Sequence, residues 1–316
     1  MAAPIEYDFA AYVAERKGEA AARLRDGAAY AYGGDLKVRA ALNRVRPVTL
    51  ALEAGVRFWH SVGKGRVLGN AVRVSARQLP EVAEVGAQCA RVLQIEPPAV
   101  YISPALGPLE VETLGTSDEA AVVLGSGLVA SLSRAELTAV IGHACGHIQN
   151  SHVPYLTALY LLGQASGLVV RWAVQPAILG LRGWARRAEI TCDRASLLCA
   201  RRLDVTVAAM VKRALGVAVF AGRDIEAYTA ELAELAELAE LAELADGPTV
   251  RSGLGELFAA NPALPKRVKA LRLFAETTYF RSVVSDDAPA GATTGGPGLS
   301  KEECDAQVAE LLAVPA

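Results

Sequence analysis

Three of the four histidines in this 316-residue chain, His143, His147 and His152, fall within ten positions. His143 and His147 stand at i and i+4, so on a helix both imidazoles leave the same face, the spacing by which a helix presents two nitrogen ligands to zinc. The downstream segment EITCD, residues 189–193, carries Glu189 and Asp193 one helical turn apart. One carboxylate can complete a metal triad, and the other can accept the second N–H of a ligating histidine and fix its tautomer. Asp193 is placed to do that for His143. The same acids also read as one side of a solvated face paired with Arg186, Arg187 or Arg194. Other candidates are weaker. His60 reads as a packed or surface residue, and His152, just before Pro154, as a helix-end residue whose charge suits the C-terminal dipole. Cys192 and Cys199 read as small core residues, and Gly63-Lys64-Gly65 is too short to cradle a phosphate.

The run 128–153, LVASLSRAELTAVIGHACGHIQNSHV, resembles the active-site helix of the HtpX and CAAX-prenyl-protease type of zinc metallopeptidases, gluzincins that include the minigluzincins. Residues 184–198, WARRAEITCDRASLL, are similar to that family's Glu-x-x-x-Asp helix, and residues 261–274, NPALPKRVKALRLF, to its His-Pro and Arg segment. Leu114-Gly115 and residues 122–128 resemble its edge strand and strand-to-helix lead-in. The likeness covers roughly residues 66–281, and its three separated motifs occur in the family's order. It implies a zincin-like domain, Zn2+ held by His143, His147 and Glu189, Asp193 behind them, and a peptide or protein as substrate or ligand.

The departures from the family pattern carry as much information. The signature H-E-x-x-H supplies a glutamate that takes a proton from the attacking water, whereas this chain has Ala144 there, with no proton acceptor. General-base catalysis is worth about 10²- to 10⁴-fold, so hydrolysis by the family mechanism is expected to be impaired. Cys145 is no substitute, because the next helix position points about 100° away. Asn261 stands where the family has an oxyanion-stabilising His; it donates a hydrogen bond without the positive charge. Glu110-Val111 replaces Asn-Ala on the substrate edge strand, while Arg267 is retained. These departures around an intact triad favour a natural pseudopeptidase. The alternative is an active zinc metalloendopeptidase carrying an Ala144 knockout, since one Glu-to-Ala change is how such enzymes are silenced deliberately. A further alternative drops the metal and reads a helical interaction module.

These residues need elements to hold them. Ser133 followed by Glu136 is a capping box, predicting a helix from about residue 134 to at least 147 with Leu137, Val140 and Ile141 on its apolar face. Residues 184–202 read as the helix of the acids. Upstream, the pattern predicts helices over 10–25 and 38–59, a strand over 67–74, a helix over 80–92 entered through Pro80, and strands over 99–103 and 120–124. The Glu-Leu-Ala repeat reads as a solvated helix over 230–246, because a three-residue step turns about 300° and its leucine stripe drifts around the axis. A short amphipathic helix is expected over 301–312. The organisation is then an N-terminal helical segment 1–62, a zincin-like metallopeptidase domain 63–284 and a flexible C-terminal tail 285–316. The fold class is α+β, mostly helical, with a small β-sheet and an active-site helix.

A composition of 52% hydrophobic and 21% charged residues, with mean hydropathy +0.27, excludes a disordered or collagen-like chain. With 32 basic against 34 acidic residues there is no basic field for nucleic acid. Five cysteines, odd in number and sparse, suit a reducing interior, and the acidic N-terminus does not read as a signal peptide, so a cytoplasmic protein is expected. The chain lacks charge over 148–170 and again over 172–181. That is long enough to cross a bilayer, which takes roughly 20 apolar residues, but Gln149, Asn150, Ser151, His152, Pro154 and Gln164 interrupt it. The run lies between two helices that must meet at one metal, so it reads as a buried helical pair that folds back. Membrane association through 148–181 at a cytoplasmic face is the less favoured alternative.

Overall fold

The computed structural model describes residues 27–163, 168–220, 263–285 and 298–313. The expected helices over 10–25 and 230–246 and the position of Asn261 lie outside the described residues. The segment expected as one helix over 38–59 is two, α1 (Gly33–Leu42) and α2 (Arg46–Phe58), the second entered through a proline in its first turn. Helical backbone then continues through a wide turn at Trp59–Gly63 into α3 (Lys64–Leu68), because Trp59 is buried against Leu114 and Ala121 of the sheet. The strand expected over 67–74 therefore shrinks to β1 (Val72–Arg73).

After α4 (Pro80–Val92) come β2 (Ala99–Ser103), β3 (Val111–Gly115) and β4 (Ala120–Gly125). The sheet order is β1-β2-β4-β3, with β2 and β4 parallel and the outer pairs antiparallel. The turn into β4 needs Gly115: its φ is +140°, and a Cβ there would lie 2.0 Å from the Glu119 carbonyl oxygen. β4 leads through α5 (Ser126–Ser131) into α6 (Arg134–Gln149). The capping box forms as expected, Ser133 Oγ accepting from Glu136 N–H and the Glu136 carboxylate accepting from Ser133 N–H. α6 does not present a single apolar face, however. Every residue from 136 to 147 is buried, because α4, the sheet and the helices of residues 168–200 and 203–215 surround it.

The uncharged run becomes α7 (Val153–Gly163) and the first part of α8 (Leu168–Ala200), which continues without a break into the acid-bearing helix. Both contribute to a second core of Val48, Tyr155, Ala158, Leu181 and Trp184, in which α7 rests chiefly on α2 and β3. The main core joins the sheet to α4, α6, the second part of α8, α9 (Leu203–Leu215) and α10 (Leu264–Ala275). α11 (Thr278–Ser285) and α12 (Lys301–Leu311) complete the described chain, α12 docking through buried Cys304 and Val308 and a 2.7 Å pair between Arg194 and Asp305.

Candidate metal centre

The site exists because α6 and α8 approach closely. Gly142 and Gly146, each immediately before a histidine, face α8; a Cβ on them would lie 2.7 Å from Cys199 Cβ and 2.6 Å from Ala195 Cβ. The Ser196 hydroxyl donates across the same seam to the Ala139 carbonyl at 2.7 Å. His143 and His147 consequently meet the α8 acids. His143 Nδ1 lies 3.1 Å from Asp193 Oδ1, and its Nε2 3.5 Å from Glu189 Oε2. His147 Nε2 lies 3.7 Å from Glu189 Oε1, with the two rings edge-on at 5.1 Å. From α10, Arg267 spans both acids: Nε and Nη2 donate to Asp193 at 2.8 and 2.6 Å, and Nη1 lies 2.9 Å from Glu189 Oε2.

This arrangement replaces the solvated-face reading of Glu189 and Asp193. Both are largely buried and held by Arg267, Arg187 bonds the Gly183 carbonyl, and Arg194 turns to Asp305. Burial pushes the two carboxyls up, but Arg267 and His143 outweigh it and hold both below the usual carboxylate range, Glu189 well below. Burial lowers His143 too, yet Glu189 and Asp193 bring it net above an ordinary histidine. His147 falls well below, through burial and the neighbouring His143 and His152. The residues fit a zinc ion: two imidazoles turn Nε2 toward the oxygens of one ionised carboxylate, each ring has a polar partner at Nδ1, and three protein donors leave a position open, as in catalytic zinc sites.

Cys192 is more than a core filler. Donor atoms of His143, His147 and Cys192 lie within 4.8 Å of one another, and the thiol is 3.7 Å from His152 Nδ1. Burial, then Glu189, Asp35 and Asp193, push that thiol well above its ordinary range, so it is a poorer donor than ionised Glu189, because thiolate is the ligating form. His152 also departs from its expected place. It is fully buried between His147, Asp35 of α1 and Trp184, away from any solvated helix end. Ala144 is 1% exposed within the main core, and Cys145 is buried with its thiol pushed well up by desolvation. Glu110 lies just before edge strand β3 and Val111 begins it.

Sequence reading missed Glu112. Burial, with Glu110 and Glu189 adding repulsion, pushes its carboxyl up to about 7, against a smaller opposing effect of Arg213. A raised folded-state value means stability that is fully present below the unfolded value near 4.5 and lost as pH rises toward 7. The zinc-free Glu112→Gln variant should therefore melt higher than the parent at pH 8, by several °C, and match it at pH 4. A thermal melt at both values checks this, and an equal difference at both would refute it.

Two histidines on a buried helix, acids on the helix packed across it and an edge strand beside them define a zinc metallopeptidase domain. Residues 77–275 match the model of peptidase family M48, and the chain belongs to that family. Among similar proteins, the plastoglobule-localized metallopeptidase 48 of Arabidopsis thaliana, chloroplastic, is 31% identical over 47% of this chain and 44% of its own. Protease HtpX homolog 1 of Streptomyces coelicolor is 26% identical over 71% of this chain and 80% of its own, and the Protease HtpX homolog of Streptococcus gordonii 32% over 32% and 34%. The chain thus spans less than half the length of the first and third of these relatives. No solved structure matches. The likeness to HtpX homologues also overturns the cytoplasmic expectation. Among the described residues no helix is long and apolar enough to cross a membrane.

Proposed function

We propose that this M48-family protein holds zinc through His143, His147 and Glu189 but is impaired in peptide hydrolysis, so that it engages peptide or protein segments with little cleavage. Zinc is the family's cofactor; when bound it polarises a carbonyl and lowers the pKa of water. The chain's own residues supply the frame. Asp193 accepts from His143 Nδ1 and leaves Nε2 for the metal, while Arg267 keeps both acids ionised and in place. Thr157 of α7 bonds the Gly115 end of edge strand β3, so the part beginning at Glu110 and Val111 is the stretch that suits an extended peptide added as a strand. One observation carries the impairment: position 144 offers a methyl group packed in the core where a proton acceptor is needed. Asn261, at the place of the family's histidine, adds to it.

Zinc content and casein hydrolysis, measured on the parent and on Ala144→Glu, test the reading. About one zinc per chain in both, with no restored hydrolysis, is the expected result. Restored hydrolysis would overturn it in favour of an active endopeptidase silenced at 144. Absence of zinc from both would remove the metal assignment and leave a helical interaction module. Zinc lost in Glu189→Gln but kept in Cys192→Ser supports the carboxylate as third ligand, and the reverse pattern assigns that role to the thiol.

A further inference from the structure

Beyond the ligands, a second buried chain of polar groups runs from α1 to the back of His147. His147 Nδ1 lies 3.1 Å from His152 Nδ1, and His152 Nε2 lies 3.1 Å from Asp35 Oδ2. Asp35 is itself fixed, its Oδ1 accepting from Trp184 Nε1 and its Oδ2 from the Thr191 hydroxyl, both at 2.7 Å. Asp35 and His152 are both fully buried. The His152 Nε2 contact is not aligned as a hydrogen bond, and no other partner for that nitrogen stands among the described residues. A buried N–H must be satisfied, and the Asp35 carboxylate is the acceptor within reach.

We infer that Asp35 and His152 are positioning residues that set the tautomer of His147 and so turn its Nε2 lone pair toward the metal. An ionised carboxylate only accepts hydrogen bonds, which places a proton on His152 Nε2. The two Nδ1 atoms, 3.1 Å apart, share one proton; with Nε2 the donating nitrogen of His152, its Nδ1 is the accepting one, so that proton belongs to His147 Nδ1. His147 Nε2 is left bare, on the side facing Glu189 Oε1. His143 receives the same treatment directly from Asp193; His147 receives it through an intervening imidazole, from a helix 108 positions before His143 in the chain. The competing donor is the Cys192 thiol, 3.7 Å from His152 Nδ1, a weak donor at a longer distance.

This inference rests on the zinc reading above, and its test separates the two. Nitrogen-15 NMR of the zinc-free parent at pH 8 should show His147 protonated at Nδ1 and His152 at Nε2. His147 protonated at Nε2 would overturn the inference whether or not the protein binds zinc. Zinc affinity by chelator competition should fall about 10- to 100-fold in Asp35→Asn and His152→Leu. It should fall markedly less in Thr191→Val, which removes one of the bonds that fix Asp35 but leaves the carboxylate facing His152. Loss of zinc in His147→Ala with unchanged affinity in Asp35→Asn and His152→Leu would keep the metal site and refute the positioning. A loss in Thr191→Val as large as in Asp35→Asn would reduce Asp35 to a structural anchor. Should His152→Leu fail to fold, the parent spectrum and Asp35→Asn still decide.

Discussion

Replacing Arg267 with Met should cost the zinc-free protein about 3–5 kcal/mol, the usual effect of removing one partner from a buried ion pair. That is a large share of a typical domain stability of roughly 5–15 kcal/mol. The reason lies in what remains. The Asp193 side chain is 2% exposed and Glu189 14%, and without the Arg267 guanidinium two neighbouring carboxylates face each other with His143, His147 and the longer-range charge of Arg213 to compensate. Met preserves much of the stem's packing, so the measurement reports the charge. The dependence on pH follows from the same pair. Arg267 and His143 outweigh desolvation and hold both acids below their ordinary values. Their stabilisation is therefore present above the unfolded carboxylate values near 4 and lost as pH falls below them. The gap between variant and parent should be widest near neutrality and narrow toward pH 3. Urea denaturation of both proteins across that range is the check; a loss below about 1 kcal/mol at pH 7 would mean the pair is screened like a surface bridge.

The sequence announced the parts of the site that depend on local spacing. His143 with His147 and Glu189 with Asp193 each lie one turn apart on a helix, and the capping box at Ser133 and Glu136 marks where the first helix begins. Arg267 was legible only through resemblance, since nothing near it indicates that α10 delivers it onto α8. Asp35 carried no signal at all: its role depends on α1 packing against α8, a contact that no periodicity within either helix encodes. His152 misled because a histidine just past a helix end ordinarily meets solvent. Here the chain turns back into α7 at once, with Ser151 at φ +59°, and α1 and α8 close over the ring. The shortened β1 has a similar cause, the tertiary burial of Trp59 overriding β-branched residues that favour a strand.

Gly142 and Gly146 were the least conspicuous of the functional positions, and they carry the second large effect. Gly146→Ala should lower both stability and zinc affinity, although alanine is the better helix former by about 1 kcal/mol. The new Cβ would stand 2.6 Å from Ala195 Cβ and 3.2 Å from Cys192 Cα, the latter a backbone atom that cannot swing away. Overpacking of this kind costs about 1–3 kcal/mol, enough to outweigh the helical gain. It also moves α8 outward, and with it Glu189, whose oxygens now stand 3.5 and 3.7 Å from the two Nε2 atoms. Metal constellations tolerate misplacement of only about 0.5 Å, so zinc affinity should fall about tenfold or more. Gly183→Ala is the matched control, lying within α8 where an added Cβ meets nothing nearer than an arginine nitrogen at 3.8 Å. That variant should gain stability and bind zinc as the parent does. Opposite signs for one chemical change on two packed helices would show that contact between α6 and α8, and not helix propensity, sets the geometry of the metal centre; equal gains and equal affinities would show that it does not.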